Sequence, residues 1–125
     1  MATRDVGSRW EDAALARLQA ANLCLVERNF HCRYGEIDLI LSDGEAVVFA
    51  EVRYRGVDAR GDGTASVGSA KRAKLVRAAQ TWLQQNPRHA SQPCRFDVIG
   101  CSGTLAAPQF EWTRNAFDAC VDEAR

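Results

Sequence analysis

Three residues in the first half of the chain, Asp38, Glu51 and Arg53, have the types and spacing to act on a charged substrate. Glu51 and Arg53 lie in the apolar run "VVFAEVRYR". Side chains two apart on a strand share a face, so an acid and a base stand side by side there. Asp38 lies in the preceding run, "EIDLILSD", and Asp43-Gly44 between the two runs is a strong two-residue hairpin signal. With that turn Ser42 pairs with Glu45, Asp38 falls opposite Phe49, and Glu36 falls opposite Glu51. Opposed residues share a face, so Glu36, Asp38, Phe49, Glu51 and Arg53 project together. Asp38 and Glu51 are then diagonal neighbours, about 7–8 Å apart at Cα, close enough to share an ion.

That face also carries Ile40, Val47 and Phe49, and acids among such residues are costly unless paired or bound to metal. The plain alternative is a polar face with Arg53 as an ordinary ion-pair partner. The chemical alternative is a hard divalent ion, Mg²⁺ or Mn²⁺. Mg²⁺ takes one or two protein carboxylates and completes its shell with water and phosphate oxygens. A metal so held activates water and neutralises charge developing on a phosphate.

The elements that must position these residues follow from periodicity. "SRWEDAALARLQAAN" (8–22) predicts a helix with the stripe Trp10, Ala14, Leu15, Leu18 and Ala21. Ser8 and Glu11 have capping-box spacing. Glu11 also lies along the stripe, so it either caps the helix or aims a carboxylate between helix and sheet. "LCLVERNF", "EIDLILSD" and "EAVVFAEVR" predict three strands. The stretch 56–68, with Gly56, Gly61, Gly63 and Gly68, predicts a mobile loop. A second helix follows, capped by Ser69, with the stripe Leu75, Ala78, Ala79, Trp82 and Leu83. "CRFDVIGC" and "QFEWT" predict two more strands, and "NAFDACVDEA" a closing helix capped by Asn115. This order predicts an α/β sandwich around a mixed five-stranded sheet, in one domain spanning 1–125.

Composition excludes several classes. The 125 residues are 46% hydrophobic and 26% charged, an ordinary globular balance. The longest apolar run is far below the ~20 residues of a membrane span. The N-terminus becomes charged at once, which predicts a cytoplasmic protein with no membrane partner. The five cysteines contain no CxxC pair, which predicts free thiols in a reducing compartment. A zinc site from Cys32, His89, Cys94 and Cys101 does not fit the usual spacings. His31 and His89 receive no role.

Net charge is zero, with 16 acids and 16 bases, but no acid occurs from Gly63 to Phe96. Lys71, Arg72, Lys74, Arg77, Arg88 and Arg95 lie in that stretch. It reads either as a solvated helix face or as a local phosphate-binding surface.

The segments "GSRWEDAALARL", "GEIDLI", "VVFAEVRYR", "SVGSAKRAKL", "RFDVI" and "FEWTRNAF" resemble the YraN-type family of small bacterial proteins. The resemblance runs from Gly7 to Phe117. It implies a three-layer, restriction-endonuclease-like sandwich of the PD-(D/E)XK superfamily, close in fold to Holliday-junction resolvases. It matches Asp38 to the motif aspartate, Glu51 to the motif glutamate, and Glu11 to a first-helix glutamate. All three are thereby implied as catalytic metal ligands for Mg²⁺ or Mn²⁺. Arg53 departs from the pattern, which has lysine there. Arginine effectively cannot give up its proton, so Arg53 is implied to orient water or stabilise phosphate charge. Lys71 lies one turn before Leu75 and reaches toward the sheet site. Arg72, Lys74 and Arg77 would track a nucleic-acid backbone. Asp97 is read as structural or supporting, and Trp82 and Trp112 as core.

The implied activity is metal-dependent cleavage of phosphodiester bonds in DNA, with branched or structured DNA as the implied form. The alternative is a non-catalytic nucleic-acid-binding module that retains the nuclease fold. Likeness to junction resolvases also implies a homodimer, because symmetric cutting of two strands needs two sites.

Overall fold

Apolar residues alternating along short runs build the sheet, and two amphipathic helices cover its faces. The computed structural model describes residues 6–55 and 68–117. In chain order these form helix α1 (Val6–Ala20), strands β1 (Cys24–Cys32), β2 (Gly35–Ser42) and β3 (Val47–Tyr54), and helix α2 (Ser69–Gln85). A 3₁₀ turn (Pro87–His89) and strands β4 (Cys94–Thr104) and β5 (Ala107–Phe117) follow. The strands lie in the order β1-β2-β3-β4-β5. All neighbours are antiparallel except β3 and β4, which are parallel. A parallel pair needs a crossover, and α2 supplies it. The result is the expected three-layer α/β sandwich.

The two faces carry separate apolar cores. Trp10, Ala14 and Leu18 of α1 pack on Leu39, Leu41, Val48, Ala50 and Ile99. Leu75, Val76, Ala78, Ala79 and Trp82 of α2 pack on Ile40, Val47, Phe49, Phe96 and Val98. Phe49 stacks on Phe96, with ring centroids 5.4 Å apart, and meets the edge of Trp82 at 5.9 Å. Trp82 is therefore core, as expected, and its Nε1 donates to Glu27 at 2.8 Å. His89 stacks on Trp82 at 5.3 Å.

Four local expectations are corrected. Ser42 pairs with Val47, not Glu45, so the β2–β3 connection is a four-residue loop. Asp43 causes this: its Oδ1 accepts the amides of Glu45 at 3.0 Å and Ala46 at 2.8 Å, which draws both residues into the turn. Ser8 lies inside α1 rather than at its cap. The N-cap of α2 is Gly68, without a side-chain cap, and Ser69 is already helical. Asn115 caps no helix; it lies in β5 with φ 52°. The rest of the expected closing helix, and most of the glycine-rich stretch 56–68, fall outside the described residues.

Candidate active site

Alternation along β2 breaks at Asp38. Ile37 and Ile40 both belong to the α2-side core, whereas Leu39 belongs to the α1 side. The same break occurs across the ladder in β1. Phe30 joins the α2-side core, while Arg28, two residues earlier, reaches α1. Between them Asn29 has φ 57°, a left-handed conformation that reverses the alternation. Arg28 pairs with Leu39 and Phe30 with Ile37, so Asn29 lies across from Asp38. One left-handed residue thus accompanies the turn of the aspartate out of the regular pleat.

The β2–β3 pairing ends at Leu39↔Ala50, and the same register one step on sets Asp38 opposite Glu51. Beyond that last pair the Val52 amide donates to Asp38 Oδ2 at 2.9 Å. The register differs from expectation by two residues, and its extension sets Asp38 across from Glu51 rather than diagonal to it. Glu36 leaves the group: it pairs with His31 across β1 and β2, with Oε1 3.6 Å from His31 Nδ1.

Glu51 is buried beside Ile37, Phe49, Leu75 and Phe96. Lys71 Nζ, from the first turn of α2, lies 3.0 Å from its Oε2. Burial and the neighbouring Glu51 charge push the Asp38 carboxyl up to about 7. The Val52 amide and Lys71 act in the opposite sense, and the Glu11 charge adds to the rise. Asp38 is therefore a largely buried acid that feels the charges of Glu51 and Glu11. That is the electrostatic condition a divalent ion relieves, and two carboxylates lie within the one or two that Mg²⁺ takes from protein. Asp38 and Glu51 fit such an ion. Among the described residues, no three His, Cys, Asp or Glu side chains are gathered closely enough to hold one.

Glu11, on α1, adds its charge to the field at Asp38. Its Oε1 is 3.4 Å from Arg28 Nη2, and Arg28 Nη1 donates to Asp12 at 2.8 Å. Arg28 thus holds the first-helix carboxylate, a contact that sequence reasoning missed. It is set by how β1 packs under α1, and the segment "VERNF" gives no local sign of it. Arg53 is half-buried in β3 and has no hydrogen-bond or ion-pair partner among the described residues.

The basic residues of α2 diverge. Lys71 joins the carboxylates. The Arg72 guanidinium lies 5.9 Å from the centre of the Phe117 ring. Arg77 lies 5.5 Å from the Tyr34 ring, which Arg33 approaches at 5.2 Å. Lys74 runs beside Gly35. Asp97 lies deep in β4 and accepts four hydrogen bonds: two from Arg95, at 3.0 and 3.2 Å, one from Trp112 Nε1 at 3.0 Å, and one from the Asn115 amide at 2.9 Å. It is a structural anchor for β5. Cys24 and Cys94 are exposed thiols, and burial pushes the Cys101 thiol up to about 11.

These features define a class: a three-layer α/β sandwich with a carboxylate pair where two central strands part. Residues 10–101 match the family model described as "Uncharacterised protein family UPF0102", and the chain belongs to that family. It is similar to a UPF0102 protein of Nitrosococcus oceani, 47% identical over 114 residues, covering 91% of this chain and 92% of that one. It is similar to one of Ectopseudomonas mendocina, 49% identical over 115 residues, covering 92% and 96%. Among the described residues no helix is long and apolar enough to cross a membrane.

Proposed function

We propose that the chain is a metal-dependent endonuclease that hydrolyses phosphodiester bonds in DNA, with branched or structured DNA as substrate and Mg²⁺ or Mn²⁺ as cofactor. The observation that carries this reading is the Asp38–Glu51 pair, with Asp38 pushed up to about 7 by burial and by Glu51. When bound, the ion supplies an activated water and neutralises phosphate charge. Asp38 and Glu51 hold it, and Glu11, steadied by Arg28, contributes negative charge from α1. Arg53 sets a positive charge beside the phosphate. Lys74 and Arg77 lie on α2 as contacts for the nucleic-acid backbone, with Lys71 nearest the cleavage point and Arg72 toward β5. A homodimer in the cytoplasm is the working assembly for cutting two strands.

The test is incubation of the full chain with linear, nicked, flapped and four-way DNA in Mg²⁺ or Mn²⁺. The expected result is cleavage that Asp38→Asn and Glu51→Gln abolish. Absence of metal-dependent cleavage of every form overturns the reading. One observation favours a second reading, a nucleic-acid-binding module without cleavage: arginine stands at position 53, where a proton-exchanging lysine is absent. DNA binding that is indifferent to metal and unaccompanied by cleavage selects that alternative.

A further inference from the structure

Two cations are candidates to offset the carboxylate pair, and only Lys71 reaches it. Arg53 comes from β3 itself and bonds to nothing among the described residues. Lys71 comes from α2, across the layer, and its ammonium lies 3.0 Å from Glu51 Oε2. The helix beneath Lys71 is fixed by Leu75 one turn on, and by Ala78, Ala79 and Trp82, all buried. The Lys71 side chain is 49% exposed while that of Glu51 is 11% exposed. The acid is therefore held in place, whereas the ammonium can swing into water without disturbing the packing of α2. A lysine stem of this kind keeps its methylenes against protein and its charge mobile.

An ammonium bonded to a carboxylate oxygen occupies a lone pair that a metal ion also needs. It also adds a like charge against an arriving cation, an interaction large at short range near a protein surface. We propose that Lys71 is the resident counter-ion of the Asp38–Glu51 pair, holding Glu51 in the metal-free protein and yielding it when a divalent cation binds. This rests on the preceding reading that the pair takes such an ion. Lys71 is on this account a positioning residue, and its removal tightens metal binding rather than weakening it.

The test is calorimetric titration of the full chain and of Lys71→Met and Arg53→Met with Mn²⁺, with thermal unfolding followed in EDTA and in saturating Mn²⁺. Lys71→Met is expected to bind Mn²⁺ about tenfold more tightly than the wild type, because it loses both the competing bond and the like charge. Arg53→Met, which loses only a charge not bonded to the pair, is expected to change affinity less than about threefold. Metal-free Lys71→Met is expected to melt below the wild type and to gain more from Mn²⁺. Equal or weaker binding by Lys71→Met, with wild-type binding intact, overturns this inference alone. Equal tightening by both variants also overturns it, because the effect is then through space. Absence of binding in all three chains overturns the metal reading and this inference with it.

Discussion

Asp38 Oδ2 accepts the Val52 amide at 2.9 Å, just beyond the last paired residues of β2 and β3. A side chain thereby continues a strand pairing that the backbone has abandoned. The same carboxyl is one half of the proposed ion site, so its two duties can be separated by mutation.

Asp38→Asn keeps an oxygen that can accept the Val52 amide and removes the charge. In metal-free buffer above pH 7 this variant is expected to be more stable than the wild type, and to bind no metal. Asp38→Ala leaves the Val52 amide without its acceptor, a loss of about 1–3 kcal/mol relative to Asn. Urea unfolding of the three chains, beside calorimetry with Mn²⁺, checks both statements.

The metal-free protein is expected to lose stability as pH rises from about 4 to about 7. The Asp38 carboxyl moves from 3.8 to about 7 on folding. Below the lower value both states hold the proton, and the full stability is present. Between the two values the folded state keeps a proton that the unfolded state has released, so stability falls. Above the upper value the loss is complete, at up to about 4 kcal/mol. The difference between wild type and Asp38→Asn, measured by urea unfolding in EDTA across this range, isolates the contribution.

Arg53 holds nothing in place among the described residues, so its replacement is expected to leave folding within about 0.5 kcal/mol. Arg53→Ala is expected to reduce cleavage by ~10²-fold or more, the usual cost of one transition-state charge stabiliser. Arg53→Lys is expected to retain or raise activity. Unfolding of Arg53→Ala, together with full activity in Asp38→Ala, contradicts the assigned site.

Asn29 is expected to matter beyond its exposed position. Its φ of 57° is strained for a branched side chain, so Asn29→Val is expected to cost about 1–2 kcal/mol. Asn29→Gly, which accepts that conformation, is expected to be near neutral. If Asn29 turns Asp38 out of the pleat, Val also weakens Mn²⁺ binding and Gly does not; calorimetry on both decides.

The helices and strands that pack locally were legible in the chain because alternation and helical stripes are local. The departure of Asp38 from the alternating pleat was not legible, because it goes with the left-handed Asn29 on the neighbouring strand. Nor was the register of the hairpin, because Asp43 uses its own side chain to widen the turn, and an Asp-Gly pair suits either loop. Asn115 misled for a related reason. Asparagine is at home both at helix caps and in left-handed bulges, and the choice was made by Asp97, 18 residues away, accepting its amide. The reach of Lys71 was legible from its place one turn before Leu75. The grip of Arg28 on Glu11 was not, since it needs the packing of β1 beneath α1.

The strands lie in the sheet in the order in which they occur along the chain, and only β3–β4 must close across a helix. Hairpin pairings form from near neighbours, whereas the parallel pairing waits for a long loop to close. Asp38 and Glu51 belong to one hairpin; Lys71 arrives with α2. During folding the two acids are therefore expected to meet before the ammonium that offsets them, and their repulsion to act on the folding rate as well as on the finished structure. Refolding followed by tryptophan fluorescence should accordingly quicken in Asp38→Asn, and in the wild type when salt screens the pair.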